Sequence, residues 1–186
     1  MGGSAQPREL TAPRLSANDA AMLIRPAQAS DAEGIWRVLQ PTLAAGETYA
    51  LPPDMNREQA LAYWTRADES PGEHDVFIAE ERDVVLGTYF IRPNQLGGGS
   101  HVANCAYMVA PAATGRGIAQ AMCEHSLGHA RSRGFLAIQF NFVVSTNERA
   151  VRLWEHAGFK VVGRVPKAFR HPTSGLVDAL VMHQFL

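Results

Sequence analysis

The sequence predicts a mixed α/β domain, and three observations carry that prediction. Strand-like and helix-like patterns follow one another as one strand, two helices, three strands and then alternating strands and helices. One late strand, residues 135–144, is almost wholly apolar, as expected for a central strand covered on both faces. The length of 186 residues suits one sizeable core. We therefore expect a disordered leader over residues 1–21, rich in Gly, Ala, Pro and Ser, and one domain over residues 22–186.

The first third of the chain carries two capping signals. Residues 23–25 predict a short strand, and the Ser-x-x-Glu pattern at 30–33 predicts a capping box at the start of a helix. That helix is expected to end at Gly46. The Asn-x-x-Gln pattern at 56–59 repeats the signal, so a second helix is expected to follow it.

The middle of the chain predicts a run of three strands, at residues 76–79, 84–91 and 101–109. Gly87 lies inside the second of them. A glycine within a strand indicates a bulge or a close approach of another part of the chain. The three strands should therefore pair in one sheet, with an irregular or crowded point at Gly87.

The last third alternates helices with strands. A helix over about residues 117–133 carries one apolar face, and Asn147 is expected to cap another helix that ends at Gly158. Two closing strands are predicted near Val161 and over residues 177–185. This alternation completes the mixed sheet.

Composition excludes several functional classes. The net charge of −1 gives no electrostatic basis for a nucleic-acid partner, and no stretch is long and apolar enough for a membrane partner. The chain start lacks the apolar core of a signal peptide. Cys105 and Cys123 are expected to be reduced, buried thiols in a cytoplasmic protein. The seven histidines show no ligand cluster, so no metal is expected.

The strongest chemical signal is the turn between strand 101–109 and the following helix. Glycines let the backbone approach a ligand closely, and the first N–H groups of a helix lack internal partners. With the helix dipole, these groups predict a pyrophosphate site, to which Arg116 is expected to add a cation. The predicted cofactor-binding residues of this turn are Thr114, Gly115, Arg116, Gly117, Ile118, Ala119 and Gln120.

Two other interpretations of this turn stay open. Dinucleotide-binding folds also use a Gly-rich turn, but in their first βα unit, with a longer three-glycine spacing and an acid after the next strand. Here the turn comes late and the acid is missing, which disfavours a nucleotide-dependent oxidoreductase. The glycines could also do no more than cap the helix.

Two blocks of sequence resemble the GNAT family of acetyl-CoA-dependent N-acetyltransferases. The Thr-x-x-Gly-x-Ala of residues 114–119 is similar to the family's Gln/Arg-x-x-Gly-x-Gly/Ala, with Thr in the first position. Residues 147–159 resemble the family's Asn-x-x-Ala-x-x-Leu-Tyr-x-x-x-Gly-Phe. The opening segment, residues 24–31, also resembles a GNAT first strand. The resemblance covers about residues 22–186.

This resemblance implies a GNAT fold, a mixed and mostly antiparallel twisted sheet with splayed central strands, flanked by helices. It also implies acetyl-CoA as cosubstrate, a small-molecule amine as acceptor and direct acetyl transfer, while a homodimer is left open. A backbone N–H at Met108 or Val109 is implied as the donor that polarises the thioester carbonyl, with Asn147 and Trp154 beside the cofactor. Many relatives have a Tyr, able to protonate the leaving thiolate, at Trp154. An indole N–H is no usable acid, so Trp154 is expected to pack under the cofactor.

The general base is not evident, because strand 101–109 holds no Asp or Glu. Asn104 and Asn141 are amides on apolar strands, where a buried amide must find hydrogen-bond partners. We interpret them as catalytic and substrate-binding candidates that hold the acceptor or a proton-relaying water. The alternative is an amide pair that bridges two parting strands. Asn141 is expected to share a strand face with Gln139.

Tyr107 is the third catalytic candidate, because its phenol could lie near the thiol, although a packed aromatic is the simpler interpretation. Glu47, Thr48 and Tyr49 follow the first helix, where relatives form a substrate wall. These three residues are therefore substrate-binding candidates. Glu47 could act as a base, and a solvated loop acid is the alternative.

Two further segments narrow the resemblance. Residues 89–102 and 139–144 resemble a subgroup of fungal and bacterial acetyltransferases that detoxify proline analogues such as azetidine-2-carboxylate. The leading interpretation is therefore acetylation of a small amino-acid-like amine. An antibiotic, a phosphinothricin-like amino acid or a protein N-terminus stays open as acceptor. A CoA-binding sensor without catalysis also stays open, because both the Tyr and the strand acid are missing.

Overall fold

A computed structural model describes residues 22–66 and 73–186, which contain seven strands and four α-helices. The predicted disordered leader, residues 1–21, lies outside the described residues. The strands are β1 (Leu23–Pro26), β2 (Asp75–Glu81), β3 (Val84–Pro93), β4 (Val102–Val109), β5 (Ala137–Val144), β6 (Lys160–His171) and β7 (Gly175–Phe185). The helices are α1 (Ala32–Ala45), α2 (Arg57–Thr65), α3 (Ile118–Ser132) and α4 (Glu148–His156).

The strands form one sheet in the order β1-β2-β3-β4-β5-β7-β6. Every neighbouring pair is antiparallel except β4 and β5, which run parallel. These two central strands pair only at Val102 with Ala137 and at Ala103 with Ile138, and then they part. The predicted mixed, mostly antiparallel sheet with splayed central strands is therefore confirmed.

Each face of the sheet packs against its own pair of helices. One core joins α3 and the Trp154 side of α4 to alternate strand residues such as Cys105 and Phe140. The other core joins α1 and α2 to the strand residues that point to the opposite face, such as Phe90 and Met108. Because side chains alternate along a strand, residue parity assigns each side chain of β4 and of residues 88–93 and 137–141 to one of these faces. Register shifts interrupt the alternation near Gly87 and between Phe140 and Val143.

The start of α1 differs from the prediction at residues 30–33. A short 3₁₀ turn precedes the helix, and neither Ser30 nor Glu33 forms the expected capping box. Asp31 takes that place, since its carboxylate accepts the Gln28 N–H at 2.7 Å and pairs with Arg25 at 2.7 Å. These contacts hold the pKa of Asp31 below its usual range. An ion pair to β1 therefore holds Asp31 in place at the residue before this helix.

The other local signals are confirmed. Asn56 and Gln59 cap α2 reciprocally, with side-chain to backbone distances of 2.9 and 3.1 Å. Asn147 accepts the Ala150 N–H and so caps α4. A Cβ added at Gly87 would lie 2.9 Å from the end of the Met122 side chain, which is the predicted close approach.

One expectation for β5 is wrong. The strand was predicted to be covered on both faces, but Asn141 and Phe142 are exposed. At this stretch β4 has parted from β5 and the register of β5 with β7 shifts, so neither neighbouring strand flanks these two residues. Cys105 and Cys123 are buried and unbridged, as expected.

Candidate functional site

A cavity of about 280 Å³ opens where β4 and β5 part. Side chains from both strands, from the loop after α1 and from the start of α4 line it. The lining residues used below are Thr48, Tyr49, Tyr63, Phe90, Arg92, Asn104, Cys105, Tyr107, Asn141, Asn147 and Trp154. Because members of both cores contribute, the cavity passes through the sheet from one helix layer to the other.

The hydroxyl of Tyr49 takes the place of the missing strand partner beside Tyr107. It donates to the Tyr107 carbonyl oxygen at 2.6 Å and accepts from the Tyr107 N–H at 3.1 Å. In a continuous sheet, this C=O and this N–H would form hydrogen bonds with β5. Tyr49 therefore satisfies the β4 backbone while the strands stay apart.

This contact also sorts the β4 amides by direction. Backbone groups alternate between the two neighbours of a strand. Since the Tyr107 N–H faces the gap and the Ala110 N–H bonds to Leu86 on the β3 side, the N–H of Met108 faces β3 and that of Val109 faces the gap. Of the two backbone amides predicted to polarise a carbonyl, only that of Val109 faces the gap between β4 and β5. The gap-facing N–H of Tyr107 was missed, because the resemblance implies splayed strands but does not show which amides of β4 face the gap.

Replacing Tyr49 by phenylalanine is expected to destabilise the protein. The change leaves the N–H and C=O of Tyr107 without their partner, which costs about 1–3 kcal/mol of unfolding free energy. Urea unfolding followed by circular dichroism measures this. Tyr63→Phe is the matched control, because no hydrogen bond of the Tyr63 hydroxyl occurs within residues 22–66 and 73–186. A loss no larger than that of the control would contradict the strand-partner role.

The two predicted asparagines lie on the same face of the sheet, toward α1 and α2. Asn104 donates to the Gln139 carbonyl at 2.9 Å and so bridges β4 and β5 at the point where they part. Asn141 accepts from the Gln139 amide at 2.8 Å, as their shared face predicted, and donates to Asn94 at 2.6 Å. Both were expected to be buried, but Asn104 is half-buried and Asn141 is exposed at the rim. They do not bond to each other.

Tyr107 lines the opposite side of the cavity and packs 4.9 Å from Trp154, centroid to centroid. Its hydroxyl lies 2.7 Å from Ser126, whose own proton goes to the Cys123 carbonyl. The phenol therefore donates to Ser126. Burial raises the pKa of Tyr107 well above its ordinary value. In this structure the phenolic proton is held away from the cavity by a neutral hydrogen bond.

The predicted anion-binding turn has the shape that a pyrophosphate needs. Gly115 and Gly117 adopt φ of 89° and 79°, and, apart from the adjacent residues, no described atom lies within 4 Å of where a Cβ would stand on either. No side chain caps α3 and its first turn holds no acid, so its N–H groups stay available to an anion. The residues present therefore fit the phosphates of acetyl-CoA.

The side chains of that turn contribute less to the predicted anion site than its backbone does. Arg116, expected to face the phosphates, pairs with Glu81 on β2. Thr114 is exposed and Gln120 bonds to Glu124 on its own helix. Ile118 is buried in the core, which anchors the start of α3. The turn can therefore bind an anion chiefly through its backbone.

Of the other predicted residues, some line the cavity and one does not. Thr48, Asn147 and Trp154 line it, with Trp154 buried on the α3 and α4 side. Glu47 is exposed and lies outside the lining, which removes it from direct contact with a ligand there. Arg92 lines the cavity and was missed, since a single arginine in a strand carries no local signal of a cavity.

The described residues contain neither a metal-ligand cluster nor a membrane-spanning helix. No group of three or more His, Cys, Asp or Glu side chains within residues 22–66 and 73–186 is placed to hold a metal ion. Over the same ranges, none of the helices combines the length and apolar character needed to span a membrane.

Comparison with known proteins agrees with this geometry. A family model described as the acetyltransferase (GNAT) family matches residues 36–159. N-acetyltransferase aca1 from Schizosaccharomyces pombe is 30% identical, covering 73% of this chain and 71% of the relative. The structure of a GCN5-related N-acetyltransferase from Kribbella flavida is 43% identical with a TM-score of 0.84, covering 89% of this chain and 98% of that one.

A more distant structure shares the fold alone. That of yncA from Salmonella typhimurium, with its cofactor acetyl-CoA, has a TM-score of 0.78 at 21% identity and covers 90% of this chain and 95% of that one. The match of the family model to more than half of the sequence, together with the curated relative, shows the family. The chain belongs to the GNAT acetyltransferase family and is an N-acetyltransferase.

Proposed function

We propose that this enzyme transfers the acetyl group of acetyl-CoA directly to the amine of a small amino-acid-like acceptor, with proline analogues such as azetidine-2-carboxylate as the first candidates. The observation that carries the proposal is the cavity through the sheet, with amides on its α1 and α2 side. Its volume of about 280 Å³ suits a small molecule. A detoxifying role would follow if the acceptor is toxic.

The α3 and α4 side of the cavity is assigned to the cosubstrate. Acetyl-CoA supplies an activated acetyl group as a thioester. The turn at residues 115–120 would hold its phosphates, and Asn147 and Trp154 border the path from there to the gap. A gap-facing N–H of Tyr107 or Val109 would donate to the carbonyl oxygen as negative charge develops on it. For Tyr107 this requires the Tyr49 hydroxyl to give up its bond to that N–H.

The α1 and α2 side is assigned to the acceptor. Asn104 and Asn141 can orient it by hydrogen bonds so that the nitrogen lone pair meets the carbonyl carbon. The new C–N bond forms, the C–S bond breaks, and the thiolate takes a proton while the nitrogen loses one. No Asp, Glu, His or Lys lines the described cavity, so positioning replaces a protein base.

The experiment that tests the proposal follows free-thiol release from acetyl-CoA with a panel of amines. The panel contains amino acids, proline analogues, phosphinothricin, aminoglycosides and peptides with free N-termini. We expect release that depends on small amino acids. Binding of CoA without amine-dependent release from any member would instead favour a non-catalytic sensor.

Removing either cavity amide is expected to impair acceptor use selectively. Asn104→Ala and Asn141→Ala should each lower kcat/KM for the acceptor by at least ~10-fold, about the value of one hydrogen bond to a charged group. Acetyl-CoA affinity should change by less than ~3-fold. Steady-state kinetics with both substrates measures the two effects separately.

Asn94→Ala is the control for that pair of variants. It removes an amide that contacts Asn141 but does not line the cavity, so a loss below ~3-fold is expected. Melting temperatures must be compared for all three. Lowered stability with near-normal activity of the folded fraction would assign Asn104 and Asn141 to the scaffold.

A further inference from the structure

We infer that Arg92 binds the carboxylate of the acceptor and makes this enzyme selective for amino acids over simple amines. The inference rests on the proposed function and identifies the residue that recognises the negative charge of the acceptor. Among the described residues that line the cavity, Arg92 is the one charged side chain. A guanidinium in the lining of a cavity can attract a ligand that carries a negative group.

The position of Arg92 places it on the acceptor side. On β3 it has the parity of Phe90, so its side chain lies on the α1 and α2 face. Its direct strand partner is Asn104, which holds the Gln139 carbonyl where β4 and β5 part. The guanidinium lies 5.3 Å from the Phe90 ring centroid, a packing that fixes the side chain.

The chemistry of the guanidinium suits this role. Its five N–H donors lie in a rigid fork that matches a carboxylate, so it can accept such a ligand beside the contacts it makes within the chain. Asn104 and Asn141 lie on the same face and can add neutral hydrogen bonds. Together these groups bind the acid end of an amino acid.

The spacing along β4 then positions the amine. Tyr107, with its gap-facing N–H, lies three residues beyond Asn104, or about 10 Å at the rise of a strand. The arginine side chain and a small amino acid together cover that span. An acceptor held by its carboxylate therefore presents its nitrogen toward the parted strands, whereas a polycationic acceptor meets a like charge.

Paired acceptors test this inference on the intact enzyme. Azetidine-2-carboxylate, proline and alanine are each compared with their own carboxamide, which keeps the size but removes the negative charge. Because the carboxamide's amine has a lower pKa, kcat/KM is calculated for the unprotonated amine of every acceptor. We expect wild-type kcat/KM to favour the acid by at least ~30-fold. In Arg92→Gln, kcat/KM should fall by ~30-fold for the acid and by less than ~3-fold for the carboxamide. Arg92→Lys keeps the cation but not the guanidinium fork, so its kcat/KM for the acid should lie between the values of the wild-type enzyme and of Arg92→Gln.

The outcomes separate the inference from the proposed function. If the wild-type enzyme acetylates none of these acids or carboxamides, the proposed acceptor class is wrong, and this inference falls with it. If it acetylates them with equal efficiency, the inference alone is overturned, and no variant has to fold for that result. Equal losses for acid and carboxamide in Arg92→Gln would also overturn it, because they would show a merely structural role.

Discussion

Replacing Gly117 by valine is expected to raise the KM for acetyl-CoA at least ~50-fold, or about 2.4 kcal/mol at 1.4 kcal/mol per tenfold. Gly117 precedes α3 with φ of 79°, and the space beside its Cα is open. A valine there would occupy the approach that a phosphate needs and would push the turn out of its left-handed conformation. Initial rates at varied acetyl-CoA measure the change.

The strain of the substitution needs its own control, because a β-branched residue at positive φ destabilises the fold by about 1–3 kcal/mol. Gly134 provides it. This glycine, just after α3, has φ of 78° and equally open surroundings, but it lies at the other end of the helix from the turn. Gly134→Val should lose similar stability with an unchanged KM. Similar KM values in both variants would refute the anion site.

The elements that could be predicted from the sequence are those whose cause is local. The cap of α4 by Asn147 and the reciprocal cap of α2 depend on residues three positions apart, so the pattern carries them. The start of α1 could not be predicted, because Asp31 is recruited by Arg25. Arg25 is in turn held by Glu80 on β2, 55 residues away.

The same distinction applies to the site. The glycine turn before α3 is a contiguous motif, and the structure shows the backbone shape that it predicted. Where β4 and β5 part, the β4 backbone is satisfied by Tyr49, which lies 58 residues before Tyr107 in the chain. Arg92 becomes a cavity residue only because of that parting. The sequence proposed Glu47, Thr48 and Tyr49 together as a substrate wall, and local spacing could not show that only Thr48 and Tyr49 line the cavity, nor that Arg92 does.

The pH dependence of the reaction is expected to follow the acceptor and not the enzyme. Over the described residues, no Asp, Glu, His or Lys lines the cavity, and burial raises the pKa values of the lining Tyr49, Tyr107 and Cys105. These groups therefore stay protonated near neutrality. Only the acceptor's own ammonium group has to lose its proton before attack.

It follows that kcat/KM for the acceptor should rise about tenfold per pH unit below the pKa of its amine, about 100-fold from pH 6 to pH 8. Two acceptors whose amines differ by at least one pKa unit make the test, because the rising limb should move with the amine. Trp154→Phe should lower the rate through packing alone and leave the shape unchanged, since an indole does not titrate in this range. A limb that stays at the same pH for both acceptors would instead require a protein base outside the cavity lining, for which the exposed Glu47 is the candidate to mutate.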